Sequence, residues 1–156
     1  MRLVGPDVFS LRVSPARCEV LHTGGIETFS GRSAGRLPKL YVVSTPDGIE
    51  YVGVTKQPLS TRIRLGWTAT GESGYHGYAW RHTLTEATLS VWYHEDAVDR
   101  SCADVETIEA EVVFLVRQSG QWPAGQTEIH FHPSTATHRD HAKRVFDTCR
   151  GIGRTA

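Results

Sequence analysis

Cysteine is scarce in this 156-residue sequence: Cys18, Cys102 and Cys149 are scattered and form no Cys-x-x-Cys pair. That excludes a disulfide framework and makes a reduced environment the expectation. Net charge is also lacking, since 17 basic residues balance 17 acidic ones. No apolar run approaches the roughly 20 residues that a spanning helix needs, so no membrane-embedded helix is expected. Residues 1–6 carry no apolar stretch of the signal-peptide kind, and the expectation is a cytoplasmic protein without a membrane partner. Internal repeats, low-complexity tracts and long linkers are absent as well. What is there, 39% hydrophobic and 22% charged residues, suits one core of ordinary globular composition.

Charge is segregated along the chain. Residues 31–81 carry seven Lys/Arg against three acids, a net +4, and residues 82–116 carry eight acids against Arg100 alone, a net −7. Such segregation is compatible with a basic face for an anionic partner and equally with separate solvated faces.

Residues 8–13 and 18–21 read as two short strands, a candidate N-terminal hairpin, ahead of a Gly/Ser-rich stretch. Residues 40–43 are β-branched and aromatic, Pro46-Asp47-Gly48 is a turn, and residues 49–54 return as a strand. Pro58 opens a short helix to about Leu65. Residues 66–78, with Gly66, Gly71, Gly74 and Gly77, read as a loop whose aromatics (Trp67, Tyr75, Tyr78, with Trp80 beside it) serve either as a lid or as stacking surfaces for unpaired bases. Residues 88–93 read as a strand. Ala103–Gln118 is the clearest helix, with Asp99 or Ser101 as N-cap, acids in its first turns and Gly120 beyond its end. Residues 127–131 alternate like a strand and 138–150 read as a closing helix. The predicted fold is α/β of the α+β type: a small central antiparallel sheet flanked by helices. Its predicted parts are an N-terminal extension at 1–36, a main domain at 37–128 and a C-terminal strand and helix at 129–156.

One carboxylate stands out. On the Ala103–Gln118 helix, Val105, Ile108, Val112, Leu115 and Val116 form the apolar stripe. At roughly 100° per residue, Glu109 lies about 40° from Val105, whereas Glu106 and Glu111 fall outside the stripe. A carboxylate facing the core is costly unless it is paired, protonated or bound to a metal. An ion pair with Arg62, Arg64 or Arg81 and a divalent metal both answer that requirement.

Leu40-Tyr41-Val42, then Tyr51-Val52-Gly53 ten residues later, then Thr55, Leu59 and Arg62, form an ordered set. Glu109-Ala110-Glu111-Val112-Val113 and Pro123-Ala124-Gly125-Gln126 follow. Together they resemble the GIY-YIG nuclease family over roughly residues 38–128. Three positions depart from that pattern. Lys39-Leu40-Tyr41 replaces Gly-Ile-Tyr. Arg64-Leu65-Gly66-Trp67 stands where many members carry a histidine after the arginine, with His76 or His82 as candidate substitutes. Gln126 stands where Asn is usual.

The resemblance implies an endonuclease that hydrolyses DNA, single-stranded DNA included, with Tyr41, Tyr51, Arg62 and Glu109 as catalytic residues. Glu109 would hold one Mg²⁺ or Mn²⁺, either tyrosine would act as base toward water, and Arg62 would contact the scissile phosphate. Lys56, Arg64, Arg81 and Gln126 are the candidate nucleic-acid-binding residues. Each tyrosine alone is also compatible with ordinary sheet packing. Two other functions are compatible with the sequence. One is a non-catalytic nucleic-acid-binding or protein-interaction module on the same fold. The other is a zinc hydrolase built on His130, His132, His138 and His141. Monomer and homodimer both remain open.

Overall fold

The computed structural model describes residues 1–22, 25–27, 29–97, 101–123, 125, 126 and 128–151, the side chains of 22, 25–27 and 151 excepted. Six strands form one antiparallel sheet: β1 (Leu3–Val13), β2 (Cys18–His22), β3 (Gly25–Glu27), β4 (Lys39–Thr45), β5 (Gly48–Thr55) and β6 (Glu86–His94). Their spatial order is β3-β2-β1-β6-β4-β5, with every pairing antiparallel. Among the described residues three α-helices accompany the sheet: α1 (Leu59–Thr68), α2 (Ala103–Gln118) and α3 (Ala136–Gly151). The predicted α+β class is the observed one. No helix among the described residues is long and apolar enough to cross a membrane.

Strand alternation sends neighbouring side chains to opposite faces, and both faces are covered. Leu40, Val42, Val52 and Trp92 meet α2 and α3 in one core, through Val105, Ile108, Val112, Val116, Val145 and Phe146. Tyr41, Val43, Leu89, Val91 and Tyr93 meet Leu59 and Ile63 of α1, with Tyr78 and Trp80, in the other. The apolar stripe read on α2 is thus its docking face. Val105, Ile108, Val112 and Val116 are each fully buried, and burial of one such side chain contributes about 1.5–3 kcal/mol.

Two elements differ from the sequence expectation. First, β1 begins at Leu3 rather than at residue 8, and pairs with β6 as well as β2. Pro6, which cannot donate a ladder hydrogen bond, argues against a strand there. The register shift between Val4 and Asp7 accommodates it. The segment 1–36 therefore continues the same sheet instead of standing ahead of it.

Second, residues 128–131 form no strand, and Thr127 lies outside the described residues. The outer edge of β5, where a further strand would pair, is occupied by two side-chain amides. Val52 N donates to Gln126 Oε1 at 3.0 Å and Ile49 N to Gln121 Oε1 at 3.4 Å. The N-cap position of α2 is Cys102, not Ser101, and carries no side-chain capping bond; Ser101 Oγ accepts from Ala103 N at 3.2 Å, and Asp99 lies outside the described residues.

Candidate functional site

The β4–β5 hairpin sets the first two side chains. Tyr41 pairs across the ladder with Gly53, and Tyr51 with Val43, so the tyrosines are diagonal neighbours on one face rather than directly opposed. Their ring centroids are 6.0 Å apart. Gly53 makes this possible: a Cβ there would stand 2.6 Å from Tyr41 Cζ and 2.7 Å from Tyr51 Cε1. Tyr41 is 1% exposed, whereas Tyr51, on the edge strand, is only partly buried. Burial pushes both phenols well above the ordinary tyrosine range, and the positive charge of Arg62 acts in the opposite sense on each.

Arg62 projects from α1 toward the aromatic loop. Its Nη1 donates to Tyr75 Oη at 2.7 Å, and its Cζ lies 5.3 Å from the Tyr78 ring centroid and 5.5 Å from that of Tyr75. Burial opposes its charge, but the neighbouring phenols hold its pKa above the usual guanidinium range. The loop delivers another hydroxyl that the sequence reading did not place in the site: Tyr78 Oη lies 2.9 Å from Tyr41 Oη. Among the described residues, His82 accepts a hydrogen bond from Arg81 Nε and His76 lies against Gly71.

Glu109 comes from the other face of the sheet, on α2, and is 6% exposed. The core-facing position read from the helical wheel is therefore observed. Its hydrogen-bond partner is an amide: Gln126 Nε2 donates to Glu109 Oε1 at 3.3 Å, while the oxygen of that amide accepts from Val52 N. Gln126 thus couples the carboxylate to the open edge of β5. Beside it, Gly125 faces Tyr51, with a Cβ built on it 3.7 Å from Tyr51 Cδ2. Burial raises the Glu109 pKa to about 8, the Gln126 hydrogen bond and Arg62 act to lower it, and Glu106 raises it further. The charge of Glu109 in turn raises Tyr51. The charges of Arg62 and Glu109 thus both act on Tyr51, and that of Arg62 acts on Glu109. No ion pair with Arg62, Arg64 or Arg81 is found for Glu109 among the described residues.

The other sequence candidates divide. Lys56 is exposed and acts electrostatically on Cys102 at the start of α2. Arg64 is exposed on the side of α1 roughly 200° from Arg62, where it lines a cleft with Ser60, Trp67 and Phe29. Arg81 is engaged inside the fold: its Nη1 donates to Gly66 O at 3.0 Å and to Trp67 O at 2.5 Å, satisfying carbonyls in the last turn of α1. Gln126 is 8% exposed and holds Glu109.

The histidines separate into two groups. His132 Nε2 lies 2.6 Å from Glu106 Oε2, with His130 Nδ1 at 3.8 Å from Glu106 Oε1. His138 and His94 instead flank Asp104. Among the described residues no group of three or more His, Cys, Asp or Glu is arranged to hold a metal ion.

A further buried charge carried no signal in the sequence. Lys39 is fully buried, and its Nζ donates to the carbonyls of Gly35, Leu37 and Gln57 at 2.7, 2.9 and 3.1 Å. Burial lowers its pKa to about 8.

No family model matches this chain, and neither a curated protein nor a solved structure matches it.

Proposed function

We propose that the protein is a metal-dependent endonuclease of the GIY-YIG type that hydrolyses DNA phosphodiester bonds. The observation that carries this reading is Glu109, a nearly buried carboxylate whose hydrogen-bond partner is the Gln126 amide and which has no ion pair among the described residues. An acid so placed is stabilised by an ion from outside the protein.

The donor set fits a hard ion. With no group of three or more His, Cys, Asp or Glu among the described residues, a single carboxylate suits Mg²⁺ or Mn²⁺, which retain water, better than a Zn²⁺ cage. When bound, such an ion supplies Lewis acidity at the phosphate and support for the leaving 3′ oxygen. Glu109 holds it, and Gln126 fixes the orientation of the carboxylate. Tyr51, the more accessible of the two phenols, is the one that meets the attacking water. Tyr41 is sealed and holds Tyr51 in place. Arg62 exchanges its Tyr75 contact for a phosphate oxygen, a match for its forked donors. Lys56 and Arg64 serve flanking phosphates.

The test is incubation of plasmid and single-stranded DNA with the protein and Mg²⁺ or Mn²⁺, with EDTA and Glu109→Ala as controls. Cleavage should disappear in both controls; cleavage that survives both defeats the mechanism. The upward displacement of the phenols favours a second reading, a nucleic-acid-binding module without turnover. DNA binding without cutting under either metal decides for it.

A further inference from the structure

Helix α1 contains a gap one turn beyond Arg62. Gly66 has no side chain, and a Cβ there would stand 2.1 Å from Tyr78 Cε2 and 2.3 Å from Tyr78 Cδ2. The phenol ring of Tyr78 occupies the volume that a helix side chain would fill. The approach requires a second glycine, since a Cβ on Gly77, at φ +73°, would lie 2.0 Å from Gly66 O. Tyr78 N closes the contact by donating to the same carbonyl at 3.4 Å, and Arg81 holds that carbonyl from the other side.

The ring is then fixed on several sides. It stands edge-to-face against Tyr51 at 5.3 Å and packs against Trp80 and Trp67 at 5.1 and 5.8 Å. Only 3% of Tyr78 is exposed, and its hydroxyl ends 2.9 Å from that of Tyr41, under the guanidinium of Arg62. Simple core packing needs the ring alone. Here two buried hydroxyls meet each other, and either can donate.

We infer that Tyr78 is a positioning residue of the proposed nuclease site, a third phenol admitted through Gly66 that fixes the Tyr41 hydroxyl. The inference rests on the nuclease reading for its catalytic consequence, while the hydroxyl pair itself can be tested without substrate.

Tyr78→Phe keeps the ring in the Gly66 gap and removes only the oxygen. Cleavage by this variant is expected to lose about tenfold or more in kcat, with KM for DNA little changed and the kcat–pH profile displaced. Tyr41→Phe combined with Tyr78→Phe should lose no more than Tyr41→Phe alone, because residues acting as one unit are not additive. In the DNA-free protein, the ¹³Cζ resonance of Tyr41 should move on Tyr78→Phe while the thermal unfolding profile stays cooperative. An unmoved Tyr41 resonance, an unchanged kcat and pH profile, or losses that multiply in the double variant would overturn the inference. If the wild-type chain cuts no DNA, the nuclease reading and the catalytic role fall together, and the resonance alone decides whether the two hydroxyls are coupled.

Discussion

Helix α2 carries two acids five residues apart with opposite surroundings. Asp104 lies 2.6 Å from His94 Nε2 and 2.9 Å from His138 Nε2, so it links the end of β6 to α3. Burial acts to raise its pKa, but the two histidines prevail and hold it below the ordinary aspartate range. Glu109 is more buried, has one amide for a partner and is displaced upward to about 8. A compensated acid of the first kind belongs to the fold. An acid of the second kind is held mainly against its own burial, with the Gln126 amide as its hydrogen-bond partner.

The contrast can be broken most directly at Glu109. Glu109→Ala should reduce the DNA-cleavage rate by about 10³-fold or more, the scale of losing a central electrostatic group, without weakening the fold; initial rates and a thermal melt together read this. Loss of stability with no loss of rate would place Glu109 with Asp104. Lys39 sits between the two cases, a buried cation compensated by carbonyls rather than by an acid. Lys39→Met leaves those three carbonyls without their donor and should cost about 2–4 kcal/mol in urea unfolding.

Asp104→Asn should be milder. The side chain is 42% exposed, so a cost of about 1 kcal/mol is expected once solvent screening is allowed for, with the cleavage rate per folded molecule unchanged. A further effect is the pH slope. Folded Glu109 binds its proton more tightly than unfolded Glu109, so its contribution falls as pH rises from 4.5 toward about 8. Glu109→Gln should remove that slope from stability measured across this window. Asp104 runs the other way: its contribution is present above its unfolded pKa of 3.8 and is lost as pH falls below it. Mn²⁺ should raise the melting temperature of the wild type and leave that of Glu109→Gln where it is.

The helical period alone located Glu109 on the buried side of α2, because Val105, Ile108, Val112 and Val116 define that side without ambiguity. The β4–β5 hairpin was legible for a similar reason: two β-branched runs flank Pro46-Asp47-Gly48. The diagonal placement of Tyr41 and Tyr51 was not legible, since it depends on the bulge between Val43 and Ser44. Tyr78 and Arg81 were harder still. Both sit in a glycine-rich stretch whose path is set by long-range contacts, Tyr78 with Gly66 and Arg81 with the carbonyls ending α1. The marks that could have found Tyr78 were the isolated Gly66 inside the α1 pattern and Gly77 immediately before a tyrosine. Lys39 offered none, because its partners are backbone atoms of residues 35, 37 and 57.

Gln121 and Gln126 have a consequence for assembly. With their amides seated on Ile49 N and Val52 N, two backbone donors on this flank of the sheet are already engaged, so a neighbouring extended segment laid alongside would have to displace them. Edge-to-edge pairing here would therefore also pull away the amide that holds Glu109.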